Sequence, residues 1–212
     1  MSLFLGKIHY WLFNKITWFE GIEEEIQNML ESKGYKVDEW VAEIYNKYGE
    51  PTEKKPLEDM IDTSNIHGWL QEKITSAESR QAALITKGVK EIGDSFLESV
   101  KEIYIEKGKK NAEEYLNEGN SIESPAEAFT AVNNFILDGM PCDRVNEIVE
   151  NSEEHIVWQS TMDIHGQYWN VVGGNVNSFY ELRDEWIKAF VENLRADYKF
   201  NKISEDTREI SQ

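Results

Sequence analysis

The chain has 212 residues, 40 % of them hydrophobic, with seven Trp and a formal net charge of −18. That is enough apolar material for a packed core, so the chain reads as folded rather than disordered. The acidic charge repels a phosphate backbone, and the basic clusters are short, Lys54 with Lys55 and Lys107 with Lys109 and Lys110; nucleic acid and anionic membranes are therefore not expected partners.

No apolar run approaches the roughly 20 residues that a membrane-spanning helix needs. The N-terminal stretch lacks the basic start, purely apolar middle and small-residue cleavage site of a signal peptide. A single cysteine, Cys142, cannot form an internal disulfide, which gives the expectation of a reducing, cytoplasmic setting.

From Leu3 onward, Leu5, Ile8, Leu12, Phe19, Ile22, Ile26 and Met29 recur at helical spacing and predict one long helix, bent near Gly21. Phe4, Trp11, Phe13, Trp18 and Phe19 crowd this segment as they would in an interfacial helix. Gly34 stands where a C-terminal cap belongs, and a shorter helix is expected from about Asp38 to Lys47, ended by Gly49 and Pro51. Glu50 to Lys55 reads as a loop. A second long helix runs through Ile66, Leu70, Ile74, Leu84 and Val89 toward Gly93, and its partner begins at Asp94 and carries Phe96, Leu97, Val100, Ile103 and Tyr104.

The two halves of this stretch echo each other. Residues 8–17, Ile-His-Tyr-Trp-Leu-Phe-Asn-Lys-Ile-Thr, return as residues 66–75, Ile-His-Gly-Trp-Leu-Gln-Glu-Lys-Ile-Thr. Gly34, Glu39, Val41, Glu43, Ile44, Tyr45 and Gly49 return as Gly93, Glu98, Val100, Glu102, Ile103, Tyr104 and Gly108. The second copy replaces Tyr10, Phe13, Trp18 and Phe19 by Gly68, Gln71, Ser76 and Ala77, which argues against a membrane role for the first. Each copy is a helical hairpin with an apolar face it cannot cover alone, so the expectation is a four-helix-like bundle with a pseudo-two-fold over residues 1–118, in copies of about 1–55 and 56–118.

Ser124-Pro125-Ala126-Glu127 is a capping box that starts a connecting helix through Phe129, Val132, Phe135 and Ile136 to Asp138-Gly139. Residues 155–162 and 168–172 read as a small antiparallel pair turning around Ile164 to Gln167, stopped by Gly173-Gly174. Ser178 and Glu181 form a second capping box before an amphipathic helix with Phe179, Leu182, Trp186, Phe190 and Leu194, and the charged last dozen residues are expected to fray. The fold class is thus mainly α, a duplicated helical-hairpin bundle with a small α+β element in residues 119–212 packed on it through the Trp186 helix.

Four polar constellations carry candidate chemistry. If His9 and His67 converge on the pseudo-axis with Glu43 and Glu102, they form a two-His, two-carboxylate set suited to zinc, iron or manganese, a first-row transition metal as cofactor. Against this, the positions three residues before each His hold Gly6 and Ser64, where the di-iron pattern of bundles asks for Glu. Lys15 and Lys73 fall inside their apolar stripes and need a carboxylate or a route to solvent; Glu43 and Glu102 are the partners the repeat offers, in structural ion pairs. Trp11, Trp69, Tyr45 and Tyr104, with Lys15 and Lys73, could line a pocket, although aromatics at helical spacing are more often core. Cys142, His155, Asp163 and His165 are the raw material of a thiol site in which a His lowers the thiol pKa and a carboxylate orients the ring.

No His-Glu-x-x-His, Gly-x-Gly-x-x-Gly, phosphate-binding Gly loop, Gly-x-Ser-x-Gly or Cys-x-x-Cys occurs, so the commonest nucleotide, redox and hydrolase chemistries lose their signatures. The reading that remains first is a cytoplasmic ligand- or protein-binding module with a pseudo-symmetric interior as its site. A metal protein and a Cys/His enzyme stand as alternatives, and a small molecule, a protein or a second copy of the chain as partner.

Overall fold

A computed structural model describes residues 5–212 of the chain. Leu3 and Phe4, which open the predicted first helix, lie outside the described residues.

Helix α1, Lys7–Ser32, begins at Gly6, whose N–H is accepted by Nδ1 of His9 at 2.9 Å. It is continuous and buries Leu12, Phe13, Ile16, Phe19, Ile22, Ile26 and Leu30. Gly34, at φ 83°, turns the chain out of it, because a left-handed residue is cheap only for glycine. Helix α2, Asp38–Tyr48, is short and buries only Ile44. After a loop and a single helical turn at Leu57–Asp59, helix α3, Ile66–Ile92, starts at Asn65, whose side chain accepts the N–H of Gly68. Gly93 then links it directly to α4, Asp94–Asn117. The ends predicted at Gly34, Gly49 and Gly93 are the observed ones.

Helices α1 and α3 lie side by side and run in the same direction. His9 faces His67 with ring centroids 5.8 Å apart, Phe13 faces Trp69, and Glu20 and Glu23 face Arg80. Arg80 has no exposed surface, and its Nη2 lies 2.6 Å from Glu20 and its Nε 2.9 Å from Glu23. Helix α4 returns antiparallel, placing Tyr104 against Gln81 of α3 (2.8 Å) and Lys107 against Glu25 of α1 (2.5 Å).

Helix α7, Val176–Leu194, packs along α4. The two approach closely at Gly108, where an added Cβ would sit 2.6 Å from the Trp186 carbonyl oxygen. Trp186 is fully buried, with Trp18 against its edge at 5.0 Å and Phe190 stacked on it at 4.8 Å. Helix α7 starts two residues before the predicted capping box: Asn175, not Ser178, is the N-cap, and it accepts the N–H of Asn177.

Helix α5, Pro125–Val132, has the predicted Ser124 cap, accepting from the Glu127 N–H, but stops well short of Asp138. The C-terminal part departs from expectation in two places. Strand β2, His155–Ser160, exists, but its predicted partner at 168–172 is a helix, α6, Gly166–Val172. The Asp163 carboxylate accepts the N–H groups of His165 (3.0 Å) and Gly166 (2.8 Å), satisfying the free donors of a helical first turn. Instead β2 pairs with β1, Asn146–Asn151, and with β4, Thr207–Ser211. The residues expected to fray thus form β4 and, with β3, Lys199–Lys202, complete a four-stranded antiparallel sheet in the order β1-β2-β4-β3. Arg208 of β4 is buried in a two-pronged contact with Asp184 of α7 (2.6 and 3.1 Å), which ties that strand to the helices. Among the described residues no helix is long and apolar enough to cross a membrane.

Candidate functional site

Four charged side chains from four segments meet where the helices join the C-terminal part. Glu78 comes from the apolar face of α3, Asp138 from the chain after α5, His165 from the residue preceding α6, and Arg183 from α7. Nδ1 of His165 lies 2.9 Å from Oε1 of Glu78, Nε2 lies 3.3 Å from Oδ1 of Asp138, and that same oxygen accepts from Nη1 of Arg183 at 2.8 Å. Asn146 donates to the other Asp138 oxygen at 2.8 Å. The chain can bring Asp138 here because Gly139, at φ 68°, turns immediately after it.

Burial pushes the His165 imidazole down in pKa, but the Glu78 and Asp138 carboxyls on either side outweigh it and hold the ring up to about 9. Burial acts on Asp138 in the opposite sense; Arg183 and His165 more than reverse it and leave the carboxyl far below the ordinary range. The cluster is not fully satisfied. The His165–Glu78 contact has the distance of an ion pair without the alignment of a hydrogen bond. Both Glu78 oxygens, Nδ1 of His165 and Nε of Arg183 have no hydrogen-bond partner among the described residues. Each such buried group costs about 1–3 kcal/mol, and perturbed, costly charges concentrate at functional sites.

Asp138 also faces a cavity of about 240 Å³ at the surface end of this cluster, lined by Trp11, Lys15, Phe129, Met140, Arg144 and Val145 among others. Lys15 is 4 % exposed. Its Nζ sits 4.0 Å above the centre of the Trp11 ring, and it makes no ion pair or hydrogen bond to a described residue. Trp11 is itself fixed by donating from Nε1 to Asn134 at 3.0 Å. Burial lowers the Lys15 ammonium to about 8, an effect that the Asp138 carboxylate only partly offsets. Arg144, on the same wall, has φ 50°, the single non-glycine residue with positive φ among the described residues; such backbone strain persists where surrounding structure enforces it.

Trp69 and Lys73, the corresponding pair in the expected second copy, stand farther apart, with Lys73 Nζ 5.4 Å from the Trp69 ring centre, and line a different and open groove of about 980 Å³ beside the Gly49–Lys55 loop. Tyr45 lines a third cavity, of about 470 Å³, with Glu20 and Glu23. Tyr104 lies in the core, bonded to Gln81, and lines none of these. The aromatic and lysine pairs therefore do not enclose one pseudo-symmetric interior pocket.

His9 and His67 do meet, but Glu43 and Glu102 do not join them. Glu43 is paired with Lys87, 20 residues beyond His67 on the same helix, a separation of about 30 Å at 1.5 Å per residue. Glu102 is exposed on α4, two residues from Tyr104, whose hydroxyl marks the level of Gln81. Among the described residues no three His, Cys, Asp or Glu side chains gather as a metal would require. The Lys15–Glu43 and Lys73–Glu102 ion pairs are likewise not formed. Cys142 is exposed, with Asp143 as its neighbour at 4.0 Å, whereas His155 contacts Ser152 and Glu150 on the sheet and His165 is in the buried cluster. No thiol–imidazole pair is assembled.

Glu78, Asp138 and Arg183 escaped the sequence reading, although a signal existed for two of them. Glu78 falls between Ile74 and Ala82, and Arg183 between Phe179 and Ile187, each a charge inside an apolar stripe of period four, the same pattern that singled out Lys15. Compared with protein-family models, curated proteins and solved structures, the chain matches none of them.

Proposed function

We propose that the chain is a binding module for a small anionic ligand with an apolar body, taken up in the cavity beside Lys15. The observation that carries this reading is the Lys15 amine: 4 % exposed, without an acidic or hydrogen-bonding partner among the described residues, and facing open volume. A lysine inside an apolar stripe needs a carboxylate or an outlet for its amine, and for Lys15 the outlet is this cavity. Here the carboxylate at hand, Asp138, is engaged by Arg183 and His165. Lys15 and Arg144 thus make a local cationic exception in a chain of net charge −18, and Trp11, Phe129, Met140 and Val145 supply apolar walls.

Benzoate has this chemistry and is the probe of choice. Isothermal titration at pH 7 is expected to show one site, lost in Lys15→Met, which keeps the stem and removes the charge. Equal binding by wild type and variant, or none by either, overturns the reading.

Two further elements belong to the same proposal. The α1–α2 and α3–α4 segments are read as copies of one ancestral unit, supported by the facing of the matching His9 and His67 across parallel helices. On this account the copies diverged in function as the Trp-Lys pairs came to line separate spaces. The exposed, unpaired thiol of Cys142 supports a cytoplasmic setting.

A further inference from the structure

We propose that Lys15 is a carbonyl-reactive amine, and that the ligand of its cavity is a small aldehyde or oxo acid which it holds as an imine. This rests on the cavity being the binding site and adds the chemistry that occurs there.

Three features of the surroundings meet the needs of that reaction. The amine must be free to attack: Nζ has no partner among the described residues, and burial keeps a useful fraction neutral, its pKa standing at about 8. An imine on a buried nitrogen is cationic when protonated, and the Trp11 face 4.0 Å from Nζ together with the Asp138 carboxylate would hold that charge as they hold the ammonium. The acid end of an oxo acid needs a cation that does not react, and Arg144 on the same wall supplies a guanidinium.

Asp138 is well placed to remain a charge partner rather than a competitor for the proton. Arg183 and His165 keep its carboxyl ionised, and Asn146 fixes its second oxygen. The buried cluster behind the cavity thus has a role beyond packing: it holds a carboxylate near Lys15 without a full ion pair that would quench the amine.

The step balances without oxidant or reductant. The Nζ lone pair attacks the carbonyl carbon and the C=O π pair moves to oxygen. Protons exchanged with solvent convert that oxygen to a hydroxyl and then to water. Water leaves as nitrogen forms the C=N bond, giving the protonated imine and one H₂O.

Glyoxylate with cyanoborohydride tests this on the intact chain. The hydride reduces any imine to a stable secondary amine, which peptide mass mapping assigns to a residue. At pH 7.5 the free-amine fraction of a lysine with pKa near 8 is about two-hundredfold that of an ordinary one, so Lys15 is expected to be labelled well ahead of exposed lysines such as Lys7 and Lys36. The fast labelling phase should vanish in Lys15→Arg, which keeps the positive charge. Labelling of Lys15 no faster than of Lys7 overturns the proposal. Benzoate titration of the same preparation separates the two readings: benzoate bound with Lys15 unreactive leaves the binding site standing and removes the imine, whereas no benzoate binding removes the site itself.

Discussion

Nδ1 of His165 lies 2.9 Å from Oε1 of Glu78, and both side chains are 1 % exposed. This contact joins α3 to the start of α6 inside the protein, where a charge is expensive unless it is matched. The fold keeps it because the imidazole is flanked on its other side by Asp138, so that one ring bridges two acidic groups from distant parts of the chain.

The pH dependence follows from the sign of the shift. The folded-state pKa of His165, about 9, is above the ordinary value of 6.5. Its contribution to stability is therefore complete below pH 6.5 and is lost as pH rises through 9. His165→Gln is expected to cost on the order of 3 kcal/mol at pH 6, the free-energy equivalent of the shift, and much less at pH 10. Urea unfolding of both proteins at the two pH values measures this; a loss of the same size at both would mean that the ring acts by packing alone.

Lys15 carries the opposite sign. Its folded pKa is depressed to about 8 from 10.5, so the buried ammonium destabilises the native state in full below pH 8, and the penalty fades between 8 and 10.5. Lys15→Met should accordingly stabilise the protein at pH 7, by on the order of 2–3 kcal/mol, with the gain shrinking from pH 8 upward and nearly gone by pH 10.5. A residue whose removal stabilises the fold and abolishes ligand binding is one retained for function. Thermal denaturation across pH 6 to 11 would show the trend, and a destabilised variant at pH 7 would mean that Lys15 is a structural cation after all.

How far these features were legible in the sequence depends on the range of the interaction. Helix ends at Gly34, Gly49 and Gly93 could be read locally, because the conformation after a helix is set by the one residue that must adopt positive φ. Lys15 could be singled out from its own stripe, but its surroundings could not: Asp138 and Arg144 lie more than a hundred residues away. Tyr168 to Val172 has strand-like composition over a window too short to hold a period, and the Asp163 side chain, acting on His165 and Gly166, decides in favour of helix. The tail Thr207 to Ser211 looked too charged to be ordered. Its alternation puts Arg208 and Ile210 inward, and burial of Arg208 depends on Asp184 of α7, a partner no local pattern reveals.

The close approach of α4 and α7 offers a test of packing that is independent of charge. At Gly108 an added Cβ would lie 2.6 Å from the Trp186 carbonyl oxygen, 2.9 Å from the Ala189 Cβ and 3.1 Å from the Phe190 nitrogen. Two of these atoms belong to backbone and cannot rotate aside, so relief requires α4 and α7 to separate, opening the contacts around Trp186. Glycine to alanine within a helix otherwise gains about 1 kcal/mol from backbone entropy, whereas overpacking costs about 1–3 kcal/mol. Gly108→Ala is expected to lose about 1 kcal/mol net, and at most about 2. Gly21→Ala is the matched control: its Cβ would meet only Nζ of Lys107 at 3.5 Å, an ordinary contact with a mobile side-chain end, so the entropy gain should survive there. If chemical denaturation finds both variants stabilised, α4 and α7 stand farther apart than this packing requires, and the Trp186 side of the core is looser than its burial implies.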